Sequence, residues 1–134
     1  MAATPEECIR QKTIIYLQRD LGIPVNRIFV EESMAHTKKG ARGRADIVVY
    51  RDDECTDALM IIECKAPHIN VLGDEVFKQA CGYREILNAD YIMLVNGVKA
   101  IIYHYNNRDY FEVKDIPSFE ELLKSKISIV EAEE

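Results

Sequence analysis

Runs of apolar and polar residues divide the chain into alternating helical and extended segments. "TPEECIRQKTIIYLQRDLG" starts with Thr4 in position to cap a helix, Pro5 at its first turn and Glu7 three residues after the cap, and it stops at Gly22. Cys8, Ile14, Ile15 and Leu17 fall near one stripe of that helix, which predicts its buried face. "RIFVEES" and "RADIVVY" read as strands, separated by a glycine-containing basic loop. After the polar turn "RDDECTD", the nearly unbroken apolar run of "ALMIIECKA" predicts a central strand covered on both faces. Pro67 ends it. "DEVFKQACGYREILN" has helical period, with Val76, Ala80, Tyr83 and Leu87 in a row. "DYIMLV" is a fourth strand, the Asn96-Gly97 turn leads into "VKAIIYHY", and "RDYFEVKD" extends the sheet. Ser118 and Glu121 mark a short last helix, and "EAEE" reads as a frayed end. The order is α-β-β-β-α-β-β with a late helix, which predicts an α/β layered sandwich on a mixed sheet.

A chain of 134 residues, 48% hydrophobic and 30% charged, is long and apolar enough for one domain with a real core. The expectation is a single domain over residues 1–134, with its core at about 5–125 and an acidic C-terminal tail. No apolar run approaches a membrane span and the N-terminus lacks the form of a signal peptide, so the expected compartment is the cytoplasm. Cys8, Cys55, Cys64 and Cys81 are scattered and the three histidines (His36, His68, His104) stand apart, without partners at useful spacing, which argues against a disulfide framework or a zinc site. Net charge is -6, unpromising for a nucleic-acid partner until its distribution is considered. Residues 111–134 hold seven acids against three lysines, leaving the rest nearly balanced. Within that balanced part, "KKGARGR" packs Lys38, Lys39, Arg42 and Arg44 together. Alone, such a cluster reads as a solvated loop; it gains meaning only beside something that engages phosphate.

The chemistry lies at the end of the apolar third strand. Glu63 and Lys65 point to one face and Cys64 to the other, because side chains alternate along a strand. Asp46 opens the preceding strand, so a hairpin of the two brings Asp46 and Glu63 toward one end of the sheet. Paired carboxylates repel unless a cation lies between them. Two carboxylates and a backbone carbonyl suit a hard divalent ion such as Mg²⁺. A bare E-x-K is common by chance and usually a surface ion pair. Here the strand is apolar, an acid opens its neighbour and a helix follows, which together favour a site.

"RADIVVY…IIECKAP…FKQACGY…NG" resembles the nuclease domain at the N-terminus of type I restriction endonuclease R subunits, within the PD-(D/E)xK nuclease superfamily. The resemblance runs from about Pro5 to Tyr105, with Ala45 standing where the superfamily name has proline. It implies a restriction-endonuclease-like α/β/α sandwich around a mixed sheet. By match to the motif it implies Asp46 and Glu63 as metal ligands, the Cys64 carbonyl as a further one, Lys65 as the catalytic lysine, and Mg²⁺ (or Mn²⁺) as cofactor. "QACGY" matches the Q-x₃-Y motif of RecB-type members, adding Gln79 to the site with Tyr83 as its brace. Glu7 and Glu31 are candidates for an accessory carboxylate, Glu31 being preferred to Glu32. Lys38, Lys39, Arg42 and Arg44 then become candidates to track a DNA backbone. The chain has no GxxxxGK[ST] motif, so ATP dependence is not carried over. The implied function is Mg²⁺-dependent hydrolysis of DNA in a restriction or defence setting, with a translocase or specificity subunit as partner, or a second copy of the chain. Two other classes stay open: a catalytically weak nucleic-acid-binding module with the same fold, and an interaction protein in which Glu63 and Lys65 are incidental.

Overall fold

The computed structural model describes residues 4–124, so the frayed "EAEE" end and most of the acidic tail lie outside the described residues. Six strands form one sheet in sequential order: β1 (Ile28–Ser33), β2 (Arg44–Tyr50), β3 (Ala58–Cys64), β4 (Tyr91–Val95), β5 (Ala100–Tyr105) and β6 (Tyr110–Val113). Neighbours are antiparallel except β3 and β4, which run parallel. A parallel pair needs a crossover, and α2 (Asp74–Leu87) supplies it. All seven residues of β3 are buried, as its unbroken apolar run predicts for a strand covered on both sides.

The two faces follow from strand alternation. Ile47, Val49, Met60, Ile62 and Met93 pack on one face against α1 (Pro5–Arg19) and against Phe119 and Leu122 of the helical residues 119–124. Val48, Tyr50 and Ile61 on the other face meet Tyr83 of α2, while Ile92, Leu94 and Ile101 meet Ala80. The result is helix, sheet, helix.

α1 corrects one expectation. Its buried residues are Ile9, Thr13 and Leu17, whereas Cys8 is exposed and Ile15 is about half exposed. Apolarity alone therefore misplaces the face by one position at Cys8. Thr13 can sit inside because its hydroxyl donates to the Ile9 carbonyl at 2.7 Å. The helix is capped as expected at its start, Thr4 Oγ1 accepting from the Glu7 N–H at 3.1 Å. It ends at Arg19, with Asp20 as its cap and the left-handed Gly22 just beyond. The Asn96-Gly97 turn joins β4 to β5 as predicted, and Gly97, at φ +85°, lies against Ile9 where a Cβ would collide.

Candidate active site

β2 and β3 part company at one end. Their ladder pairs Ile47 with Ile62, and one step further the same register sets Asp46 opposite Glu63. There the side chains replace the backbone ladder. The Asp46 N–H donates to Glu63 Oε2 at 3.1 Å, and the Cys64 N–H donates to Asp46 Oδ2 at 2.7 Å. Each carboxylate is thus fixed by the other strand's backbone, and the Cys64 carbonyl lies past the last β2–β3 pair. Glu63 is only 2% exposed. Burial, then a hydrogen bond to the Asp46 carboxyl and the charge of Asp46, hold its pKa well above the ordinary carboxylate range. An isolated charge at that depth is costly, so the pair retains a proton or takes a cation.

Glu31 lies one strand further out. In the β1–β2 ladder Val30 pairs with Ile47 and Glu32 with Ala45, and Glu31 and Asp46 are the unpaired positions between them. Glu31 has a left-handed backbone, φ +53°, unusual for a residue with a Cβ. Its carboxylate meets Arg10 of α1 at 2.9 Å, and Arg10 also meets Glu7 at 2.5 Å. Glu7, Arg10, Glu31, Asp46 and Cys64 line a common cleft of about 230 Å³. Both accessory candidates therefore border the cleft, and both are engaged by the same guanidinium. Glu32 is buried and pairs instead with His36, whose Nδ1 lies 3.3 Å from its Oε1. That pair corrects the expectation of a partnerless His36: the short helical turn Met34–His36 folds the chain back beside Glu32.

Lys65 lies just past β3. Its Nζ donates to Gln79 Oε1 at 3.2 Å, and Gln79 Nε2 donates to the Tyr83 hydroxyl at 3.3 Å. Gln79 and Tyr83 share a face of α2 because they are four residues apart. Tyr83 also fixes the end of the basic loop. The Arg44 backbone hydrogen-bonds its hydroxyl, and Gly43, at φ +92°, lies so near the ring that a Cβ would overlap it. Lys38, Lys39, Arg42 and Arg44 are all exposed. Lys38 lines a surface hollow with Gly82 and Glu85 of α2.

Arg10 is the residue that sequence reasoning missed. Its spacing from Glu7 announces a helical i,i+3 pair, but its contact with Glu31 depends on how α1 lies over β1.

Comparisons with known proteins bear on this geometry. The family model for the type I restriction enzyme R protein N terminus (HSDR_N) matches residues 5–117. This chain belongs to that family. The family match agrees with the motif resemblance. Among solved structures, the fragment structure of a putative HsdR subunit of a type I restriction enzyme from Vibrio vulnificus YJ016 superposes with a TM-score of 0.68 at 19% identity. The match covers 96% of this chain and 26% of that one, so the chain spans about a quarter of that relative's length. At that identity the likeness establishes the fold, which is restriction-endonuclease-like. No curated protein matches. Among the described residues, no helix is long and apolar enough to cross a membrane.

The donor set can be tested against the metal that the family implies. Among the described residues, no group of three or more His, Cys, Asp or Glu side chains is placed to hold an ion. Two touching carboxylates with an adjacent backbone carbonyl remain. That is a poor cage for Zn²⁺ or Ca²⁺, but Mg²⁺ binds through one or two carboxylates and keeps waters for the rest. The residues present fit Mg²⁺.

Proposed function

We propose that this chain is a Mg²⁺-dependent nuclease that hydrolyses phosphodiester bonds in DNA. The observation that carries the reading is the interlocking of Asp46 and Glu63 across the parted end of β2 and β3, with Lys65 two residues further along the same chain. Asp46, Glu63 and the Cys64 carbonyl would hold the ion. When bound, it supplies Lewis-acid stabilisation of phosphate charge and lowers the pKa of water.

The remaining work falls to the chain's own groups. Lys65 brings an ammonium to the same face as Glu63, where it orients the attacking water and offsets negative charge growing on the phosphate. Gln79 sets the position of Nζ, and Tyr83 sets that of Gln79. Lys38, Lys39 and Arg42 lie in the loop that leads into β2, so a duplex held by its phosphates there passes the carboxylate end of the sheet. Family membership supports the restriction setting, with the other subunits of such an enzyme as partners.

The test is incubation of the 134-residue chain with linear, circular and single-stranded DNA, with Mg²⁺ or Mn²⁺ and with chelator. The reading expects cleavage that needs the ion and disappears in Asp46→Asn. If DNA is bound but never cut with either ion, the chain is a nucleic-acid-binding module that keeps the fold without the chemistry.

A further inference from the structure

The cleft presents a problem of charge. Glu31 and Asp46 line it from the sheet and Glu6 and Glu7 from α1, and Asp46 interlocks with the buried Glu63 behind it. A cation is attracted there, but so strongly acidic a wall repels the phosphodiester that must approach the same cation. Arg10 answers this. Its guanidinium, 17% exposed, spans Glu7 and Glu31 and is the basic side chain lining this cleft among the described residues. Glu31, whose backbone is left-handed, meets Arg10 with its carboxylate. A residue with a Cβ adopts that conformation at a cost. Both partners are also shifted toward their charged forms: Arg10 is raised chiefly by its bond to Glu31, and Glu31 is lowered chiefly by Arg10.

We propose that Arg10 is a positioning residue that acts as a fixed counter-charge. It withholds Glu7 and Glu31 from the metal, confining the ion to Asp46 and Glu63, and it lowers the negative potential that an incoming phosphate meets. The inference rests on the nuclease reading above, and it predicts that removing one cation moves two affinities in opposite directions. A merely structural Arg10 would weaken both together or leave both alone.

The experiment measures Mn²⁺ binding by calorimetry and DNA binding by fluorescence anisotropy in chelator, in the wild type, Arg10→Gln, Arg10→Lys and Arg10→Gln/Glu7→Gln/Glu31→Gln. In Arg10→Gln, Mn²⁺ should bind about tenfold tighter, as expected from freeing two nearby carboxylates at an effective dielectric near 20. DNA should bind about tenfold more weakly, by the same Coulomb argument. Arg10→Lys keeps the charge and should restore most of both, which also serves if Arg10→Gln folds poorly. The triple variant removes the carboxylates along with their counter-ion and should return both affinities close to wild type. Equal or parallel changes in Arg10→Gln overturn the proposal. So does a triple variant whose DNA binding stays weak, since that assigns Arg10 a direct phosphate contact. Absence of Mn²⁺ binding to the wild type, or binding that Asp46→Asn leaves unaltered, is a different failure and counts against the nuclease reading itself.

Discussion

At the scale of single residues, Lys65 and Glu63 stand two positions apart yet depend on their surroundings in opposite ways. Lys65 is half-buried and is held by Gln79, a partner it can lose without leaving a buried charge. Lys65→Ala should lower cleavage by about 10²-fold or more, the usual cost of removing one positioned group that stabilises transition-state charge. Mn²⁺ affinity and melting temperature should stay close to wild type, and parallel activity, calorimetric and thermal measurements check this. Loss of folding instead would make Lys65 a structural cation. Glu63 behaves differently because it is buried beside Asp46. Its folded pKa lies above its unfolded value of 4.5, so the metal-free native state holds the proton more tightly than the unfolded chain. The native state then binds more protons from about that pH upward, and stability falls as pH rises through neutrality toward the folded value. Its stabilising contribution is fully present below the unfolded pKa. Chemical denaturation between pH 5 and pH 8 in chelator should show this decline, Mg²⁺ should reverse much of it, and Glu63→Gln should flatten it while abolishing the Mg²⁺ effect. The Asp46, Glu63 and Lys65 constellation was legible in the sequence because each residue sits at the boundary of an apolar strand. Arg10 was not, because its role depends on the placement of α1 over β1.

At the scale of elements, α1 shows how propensity and packing separate. The cap and Pro5 predicted its start, but of the stripe Cys8, Ile14, Ile15 and Leu17 only Leu17 is fully buried, and the sheet accepts Ile9 and Thr13 in place of Cys8 and Ile15. A polar residue entered the core because its hydroxyl bonds within the helix, which hydropathy does not register. The strands and α2 were easier to read, since β3 is covered on both faces and α2 keeps a regular period. The basic loop was visible as composition, but its attachment was not. Gly43 and Arg44 join that loop to Tyr83, and Tyr83 reaches Lys65 through Gln79. Gly43→Ala would force a Cβ into the tyrosine ring at a backbone angle that favours glycine. It should cost about 1–3 kcal/mol in stability and weaken DNA binding, measured by denaturation and anisotropy. Neutralising Lys38, Lys39 and Arg42 together should leave stability almost unchanged and reduce the salt slope of DNA binding by up to about three phosphate contacts. An unaltered slope would return these cations to ordinary surface.

At the scale of the whole molecule, the two helical layers protect the sheet to different extents. β3 and β4 are enclosed, whereas β1 leaves Phe29 and Val30 partly exposed and β6 leaves Phe111 about half exposed. Substitutions should follow that gradient. Leu94→Ala, at a fully buried position of β4, should lose about 2–5 kcal/mol by urea denaturation, and Phe111→Ala should lose far less.

The sequential strand order also bears on how the molecule forms. Four of the five strand pairs join neighbours antiparallel, and only β3 with β4 waits for a helix to cross over. Asp46 and Glu63 lie in one of the local pairs, so they meet when that hairpin closes. A nucleus formed by this local hairpin would force the two carboxylates together early in folding. Any agent that relieves their repulsion should act on the forward rate. In stopped-flow refolding above neutral pH, Mg²⁺ should accelerate folding more than it slows unfolding, and that asymmetry should vanish in Asp46→Asn.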